Sequence, residues 1–599
     1  MSKFTPIIFI FLAILISCDQ IKQPTIDAFS LIQAENFNRE IGKVDNGNYN
    51  GISRFDRIIT YSVIRSFDTG DIIVFENVDF KDGAQNVTLN LAQHWGEPDG
   101  AAKIDFRLDQ PDGELIGTLE VAETQGWEHY MFQNTDITKV TGIHDLYLVA
   151  DHLRGAGDID WIVFSKDKAL KNSLVPAPLP ESSHNNSDKG NHYFIDSENG
   201  NDRNNGHSHE KAWKSHTMIA TKTFQPGEVI AFKKGSHFSG PIVFSESGTE
   251  SDPILITSYG EGEKPRFTNP DDSNMNGNCI RLKGSWIIVE NLHFHDTPGT
   301  KNSNRLKSIF KMGALLNAEG ANHNIIRNND FTNVTKGIQS TGEYTLITGN
   351  YIEGVRHSLW WNGGFGSWGP MGIHLGIGNQ EVSYNIIKNF LSTESGYGSD
   401  GGAIELDDGR FHKDNVYIHH NYTEGNAGFL ESSWTHDNNP FVQEVHNLRV
   451  AFNVSYDGQN WIFMWAPCHD CYFDNNTVIR NNDFRSPLYN VVLADFEGIN
   501  FRNNLFVSRF DVFQGNTSQI IANNWYLNFD RPSEVLFDST QAGNGDPRLV
   551  NLMGRDFNLT SESPLRDKAM NLSEFYQVDF NGTTLPKSGT WDVGALQYK

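Results

Sequence analysis

A short apolar run ending in asparagine recurs eight times in the second half of the chain: Ile326-Arg-Asn-Asn329, Ile347-Thr-Gly-Asn350, Val382-Ser-Tyr-Asn385, Ile418-His-His-Asn421, Val450-Ala-Phe-Asn453, Phe473-Asp-Asn-Asn476, Phe501-Arg-Asn-Asn504 and Ile521-Ala-Asn-Asn524. Successive asparagines lie 21, 35, 36, 32, 23, 28 and 20 residues apart. The shortest of these spacings are those of one bare coil of a solenoid, whose units stack only on their neighbours. Chance enrichment of asparagine in turns does not produce eight matched units. Stacked coils bring the asparagines into a column, where their amides hydrogen-bond along the axis at roughly the 4.8 Å inter-strand spacing. The prediction is an all-β chain whose main body is a right-handed parallel β-helix.

The uneven gaps locate the chemistry. The three coils between Asn350 and Asn453 are longer than a bare coil, and long loops on a rigid scaffold are where function concentrates. They carry Trp360, Trp361 and Trp368, the run Ser395-Gly-Tyr-Gly-Ser-Asp-Gly-Gly402, and Trp434. Glycine-rich loops with aromatic rings suit the walls of a saccharide groove. The strands inside these coils align as Gly337-Ile-Gln339, Gly372-Ile-His-Leu375, Gly402-Ala-Ile-Glu-Leu406 and Gly428-Phe-Leu-Glu-Ser432. Two-residue alternation sends Ile404 and Leu406 inward, and Glu405 and Asp407 outward. The outer column then reads Gln339, His374, Glu405, Glu431, which sets the two glutamates about 5 Å apart.

Two carboxylates that close push one pKa upward, as a general acid beside an ionised partner requires. Retaining glycosidases hold such a pair at roughly 5–5.5 Å. The alternative, a polar surface ladder, would stack two like charges without benefit. Asp400 and Asp407 are alternative partners at longer, inverting distances, and His374 is a proton-tuning or substrate-binding neighbour. The rival chemistry is β-elimination of uronates. For it, Glu405, Asp407, Asp408 and Glu431 would hold an ion, with Arg410, Lys413 or Arg356 close by. Acid-rich, base-poor rungs favour hydrolysis, which needs no catalytic cofactor. A third reading is a surface protein that binds glycan without cleaving it.

Upstream of the repeats, Tyr193-Phe-Ile-Asp-Ser-Glu-Asn-Gly-Asn-Asp, Gly206, Ala212-Trp213-Lys214, Pro226-Gly227-Glu228, Lys234-Gly235, Ser247-Gly248-Thr249 and Tyr259-Gly260 follow in order. This segment resembles the opening of bacterial parallel β-helix enzymes of the pectate-lyase type. Asp546-Pro-Arg-Leu, Asp556-Phe-Asn-Leu, Ser563-Pro-Leu-Arg and Trp591-Asp-Val-Gly-Ala resemble the closing segment of such proteins, expected to cap the last coil. The enzymatic domain is therefore assigned to 193–599.

Residues 29–166 read differently. Short strand-like runs separated by Asp-Gly and Pro-Asp-Gly turns predict a jelly-roll-like β-sandwich. Ile32-Gln33-Ala34-Glu35, Gly70-Asp71, Val78-Asp79-Phe80, Arg107-Leu108-Asp109, Gly126-Trp127, Gly142-Ile143-His144-Asp145-Leu146 and Asp160-Trp161 occur in order. Together they resemble a family 6 carbohydrate-binding module. That resemblance implies a polysaccharide ligand held between two aromatic faces, with Phe67 in the usual Tyr position and Trp127 in the usual Trp position. Asp158 stands where the family often has Asn; a carboxylate accepts sugar hydroxyls but cannot donate as an amide does. Glu35 and Asp160 match structural calcium positions, and hard oxygen ligands suit that ion. Residues 167–192, with several prolines and a polar run, read as a linker.

The first 18 residues are an export signal, with Lys3 ahead of an apolar stretch of about ten residues, too short to span a bilayer. Leu15-Ile16-Ser17-Cys18 resembles the bacterial lipobox, which implies a lipid on Cys18, a tether over 19–28 and attachment to the bacterial cell envelope, at the surface or in the periplasm. Seventy-four acidic against 48 basic side chains, net −26, exclude the clustered positive charge that nucleic acid requires. A monomer is expected. Four cysteines cannot staple a chain this long. Cys468-His-Asp-Cys471, outside the cytoplasm, reads as a short disulfide or two buried thiols rather than a zinc site.

Overall fold

The computed structural model describes residues 25–599 apart from 31, 53–57, 95–101, 123–126, 128–130, 167–191, 270–277, 298–312, 356–368, 396–397, 433–441, 459, 481–488, 494–495, 509–510, 514–519, 529–540 and 553. Cys18, Arg356, Trp360, Trp361, Trp368, Trp434 and nearly all of the linker lie outside the described residues. No helix among the described residues is long and apolar enough to cross a membrane.

Between Ile26 and Ser165 two largely antiparallel sheets face each other. One is built on Ile72–Asp79, Ile143–Asp151 and Ala102–Leu108; the other on Met131–Val140, Ala84–Ala92 and Asp158–Ser165. Alternation in Ala84–Ala92 sends Val87, Leu89 and Leu91 into the core. Its other face carries Asn86, Thr88 and Asn90, which are buried as well.

From His192 onward three long parallel sheets share one body, a parallel β-helix. Among the described residues, two have 12 strands and one has 10. Most coils contribute one strand to each sheet, and the isoleucines and phenylalanines that point inward stack in columns such as Phe294 on Phe331, with ring centroids 4.6 Å apart. The most regular run of buried polar groups is the asparagine column. Each member from Asn329 to Asn504 is buried and donates its backbone N–H and one amide N–H to Oδ1 of the next asparagine, at 2.8–3.1 Å. Both donors of each turn are thereby satisfied by one acceptor. The residue before each asparagine has positive φ, including Tyr384, His420 and Phe452 at 55°, 55° and 52°. Left-handed backbone costs such residues about 1–2 kcal/mol. Their rings recover part of this by stacking, Tyr384 on His420 at 4.8 Å and His420 on Phe452 at 5.5 Å.

The closing segment departs from the expected cap. It runs along the flank of the coils: Tyr576 Oη donates to Asp474 Oδ2 at 2.6 Å, Gly594 N–H to Asn503 O at 2.8 Å, and Arg555 pairs with Glu424. Phe557, Tyr576 and Trp591 pack there with Tyr422, Phe452 and Tyr456. The sandwich reaches the same cluster. Ile159, Ile162 and Phe164 enter its own core, whereas Trp161 is buried among the flank residues. Asn551 Nδ2 donates to Ser165 Oγ at 3.2 Å. Cys468 and Cys471 form a disulfide, and Cys279 is a free, buried thiol.

Candidate active site on the middle coils

The third sheet sets Gln339, His374, Glu405 and Glu431 in direct register on successive strands, with Phe463 on the next. The column predicted from alternation is therefore present in the backbone. Its environment is not the exposed face that was expected: Gln339, His374 and Glu405 are buried, and Glu431 is half-buried. Burial, then the charges of Glu431, Asp400 and Asp407, hold the Glu405 carboxyl well above the usual carboxylate range, against the opposing pull of Lys336. The proton on Glu405 is thus held to higher pH than on an ordinary carboxyl.

Lys336 is the residue that sequence reasoning missed. It is fully buried, and its ammonium donates to His374 Nδ1 at 2.7 Å and approaches Gln339 Oε1 at 3.5 Å. An ammonium has no acceptor, so His374 accepts at Nδ1 and carries its proton on Nε2. Burial, then Lys336 and Lys413, keep the His374 imidazole well below its usual range and therefore neutral. Burial likewise lowers Lys336 to about 8, although Glu405, Asp407 and Asp408 pull it back upward. Lys413, also at about 8 from burial, donates to the carbonyls of Asp408 and Phe411 at 3.1 and 2.8 Å. These two lysines make the rungs less base-poor than their sequence suggested.

The remaining predicted residues divide. Asp400 receives the amides of Gly369 and Gly401 at 2.9 and 2.8 Å, which occupies both of its oxygens. Asp407 Oδ1 accepts the Asp408 amide at 2.6 Å. Arg410 does not reach into a groove; its guanidinium is taken by Asp408 at 2.7 Å and Glu319 at 3.0 Å. Gly402 lies on the Glu405 side, and a Cβ there would stand 3.6 Å from Glu405 Oε1. Beyond Glu431, Phe463 packs edge-on against half-buried Trp465 with centroids 4.9 Å apart, an aromatic neighbour not foreseen in the sequence.

In the sandwich, one assignment is corrected. Phe67 is fully buried in the hydrophobic core and offers no face to a sugar; only its carbonyl reaches the adjacent loop, accepting the Ala156 amide at 2.7 Å. Trp127 is half-buried and lies over Gly155, where a Cβ would meet its ring at 3.1 Å, so a side chain at that position would displace the indole. Asp158 accepts from Arg65 Nε at 3.2 Å, and burial raises its carboxyl to about 6 despite that partner. Half-exposed Arg65 supplies donors beside a position where an amide would have had its own. The short turn Ala34–Asn36, which carries Glu35, contacts the strand that carries Asp160, and buried Asp160 accepts from Asn90 Nδ2 at 2.8 Å.

Comparison with known proteins bears on the two halves unequally. Residues 48–166 match the family model of the carbohydrate-binding module, family 6, and form such a module. An endo-1,4-beta-xylanase A of Thermoclostridium stercorarium is 33% identical over 159 residues, 25% of this chain and 26% of the relative. An arabinoxylan arabinofuranohydrolase of Bacillus subtilis (strain 168) is 36% identical over 87 residues, 14% of this chain and 16% of the relative. The chain thus spans about a quarter or less of the length of these curated relatives. Among solved structures, a module from Clostridium stercorarium in complex with cellobiose is 30% identical, covering 24% of this chain and 99% of that one, with a TM-score of 0.21. A GH136 lacto-N-biosidase from Eubacterium ramulus covers 59% of this chain and 67% of that one at 13% identity and a TM-score of 0.36.

Proposed function

We propose that the chain is an exported glycoside hydrolase that cleaves polysaccharide on the outer face of its β-helix, with Glu405 as general acid and Glu431 as the partner carboxylate. The observation that supports this reading is the buried Glu405, its carboxyl raised by burial and neighbouring charge, one strand from half-buried Glu431. Glu405 donates its proton to the departing glycosidic oxygen. Glu431 stabilises or attacks the positively charged sugar carbon, and the one-rung separation supports the retaining course. As Glu405 becomes negative, the Lys336 ammonium offsets the new charge, a stabilisation greatest when charge has developed. Neutral His374 orients that ammonium. Asp407 is the alternative partner for a more widely spaced, inverting pair.

The binding module holds the polymer, with Trp127 as a stacking surface and Arg65 and Asp158 as polar contacts. A structural calcium ion would be held by Glu35 and Asp160, two carboxylates of the hard-oxygen type that ion prefers. The first 18 residues direct export, and Cys18 carries the lipid that anchors a monomeric protein to the bacterial envelope. The names of the relatives matched by the module make xylan and arabinoxylan the first substrates to try.

A second reading, a polysaccharide lyase, is favoured by one observation. A buried lysine brought to about 8 is a competent base for abstracting a proton beside a uronate carboxylate. The purified protein, incubated with a panel of neutral and uronate polysaccharides, decides between them. Hydrolysis releases reducing ends without ultraviolet absorbance; elimination gives products that absorb at about 232–235 nm from the new double bond conjugated to the uronate carboxylate, extending through that base chemistry. Binding without either product would leave only the surface-binding role.

A further inference from the structure

We infer that His412, Glu444 and His446 form a binding site for one divalent transition-metal ion of the zinc class. The site lies outside the proposed catalytic column, on a small parallel sheet formed by Lys413–Asp414, Val445–His446, Cys468–His469 and Phe496–Glu497. Register on this sheet pairs Lys413 with Val445 and Asp414 with His446. Alternation separates two faces. Lys413, Val445 and Cys468 are buried beneath the sheet. His412, just before one strand, and Asp414 flank Lys413, and Glu444, just before the next, and His446 flank Val445, so extended backbone sends the four side chains to the opposite face. All of His412, Glu444 and His446 are half-buried, and one ligand atom from each lies within 4.8 Å of the others.

The chemistry of the set is specific. Two imidazoles and a carboxylate suit zinc better than calcium or magnesium, which prefer oxygen alone. His446 Nδ1 lies 2.7 Å from Asp414 Oδ1, while its Nε2 lies 3.1 Å from Glu444 Oε2. A carboxylate on the far nitrogen of a ligating histidine fixes the ring and raises its basicity, and Asp414 stands in that place. The His469 ring stacks on the other side of His446 with centroids 5.1 Å apart, which restricts the ring further. His412 Nδ1 accepts the Glu444 amide at 3.1 Å. Loading an ion exchanges that bond for a metal–nitrogen bond, with a fourth position left to water. In sequence the set is a His-x-Asp and a Glu-x-His, one coil of 32 residues apart, on the strand sequences that follow Glu405 and Glu431. An ion here fastens together the two coils that carry the glutamates.

The test uses the full chain, stripped with a chelator, titrated with zinc chloride in excess calcium, and freed of loose ion by gel filtration before its metal content is measured. One zinc per chain is expected, with a rise in Tm, and cobalt at the same site should give the visible absorption of a four-coordinate centre. Glu444→Gln and His446→Ala should each lose at least nine-tenths of the bound zinc and the zinc-dependent rise in Tm, with a metal-free Tm close to that of the parent. Absence of retained zinc in the parent overturns the proposal. Zinc retained by both variants overturns it equally, because the ion would be held elsewhere.

Discussion

Glu405→Gln is expected to lower the rate of glycosidic cleavage by about 10²–10⁴-fold, the range by which a positioned general acid accelerates such a step, while the protein remains folded. Glutamine keeps the size of the side chain but has no proton to give. The same substitution should stabilise the protein, and the sign follows from the shift. A carboxyl raised in the folded state contributes its stability below its unfolded pKa, and that contribution is lost as pH rises through the folded value. For Glu405 the raised value comes first from burial, then from Glu431 and the neighbouring aspartates. The gain in Tm of Glu405→Gln over the parent should therefore grow from pH 5 upward. Parental activity should fall only at the upper end of that rise, as the folded acid loses its proton. Turnover and thermal unfolding measured across one pH series check both limbs. Full activity in the variant would remove Glu405 from the chemistry, and a Tm deficit that widens with pH would contradict its burial as a neutral acid.

The second large effect concerns stability alone. Asn421→Ala should cost about 3–5 kcal/mol, because several buried groups lose partners at once. Asn421 Oδ1 accepts the N–H and Nδ2–H of Asn385 at 3.0 Å each, and its own Nδ2 donates to Val382 O and His419 O at 2.9 and 3.0 Å. Alanine replaces none of these, and the pocket is too enclosed for water to enter readily, since Asn385 and Asn421 are fully buried. An outer ladder provides the control. Asn415 donates to Asn379 and accepts from Asn447 at 3.0 and 2.8 Å, but in an exposed turn, so Asn415→Ala should cost about 1 kcal/mol or less, water taking over its bonds. Denaturant unfolding of both variants gives the comparison. Equal losses at the two positions would mean that burial does not set the value of the ladder.

The asparagine column and the alignment of Glu405 with Glu431 were legible because both depend on period: coil length fixes one and two-residue alternation the other. What alternation could not show was depth. A strand face is outer relative to its coil, yet Gln339, His374 and Glu405 are buried there. Lys336 escaped for a related reason. Counting back two residues from Ile338 sends it into the core beside that isoleucine, but the strand does not alternate strictly at this point. Two strands along the same sheet, Ala403 and Ile404, consecutive residues, both join the core, and Gly402 is turned to the Glu405 side. Lys336 occupies the equivalent place through Met371, and so reaches His374. Phe67 shows the opposite error. Its backbone lies beside the loop that leads into Asp158, whereas its side chain turns into the core.

The burial of Trp161 in the flank cluster has a consequence for the chain as a cut object. A module joined only by a linker would diffuse away once the linker was severed. Here a protease acting between residues 167 and 191 should leave two fragments that migrate together through a sizing column, held by Trp161, by the Ser165–Asn551 hydrogen bond and by the closing segment between them. Producing the β-helix without residues 1–166 would bare the apolar surface that Trp161 covers, a liability for solubility. The sugar-binding end of the sandwich is then carried at a fixed offset from the coils, so that a polymer held by one is presented to the other at a set distance along its length.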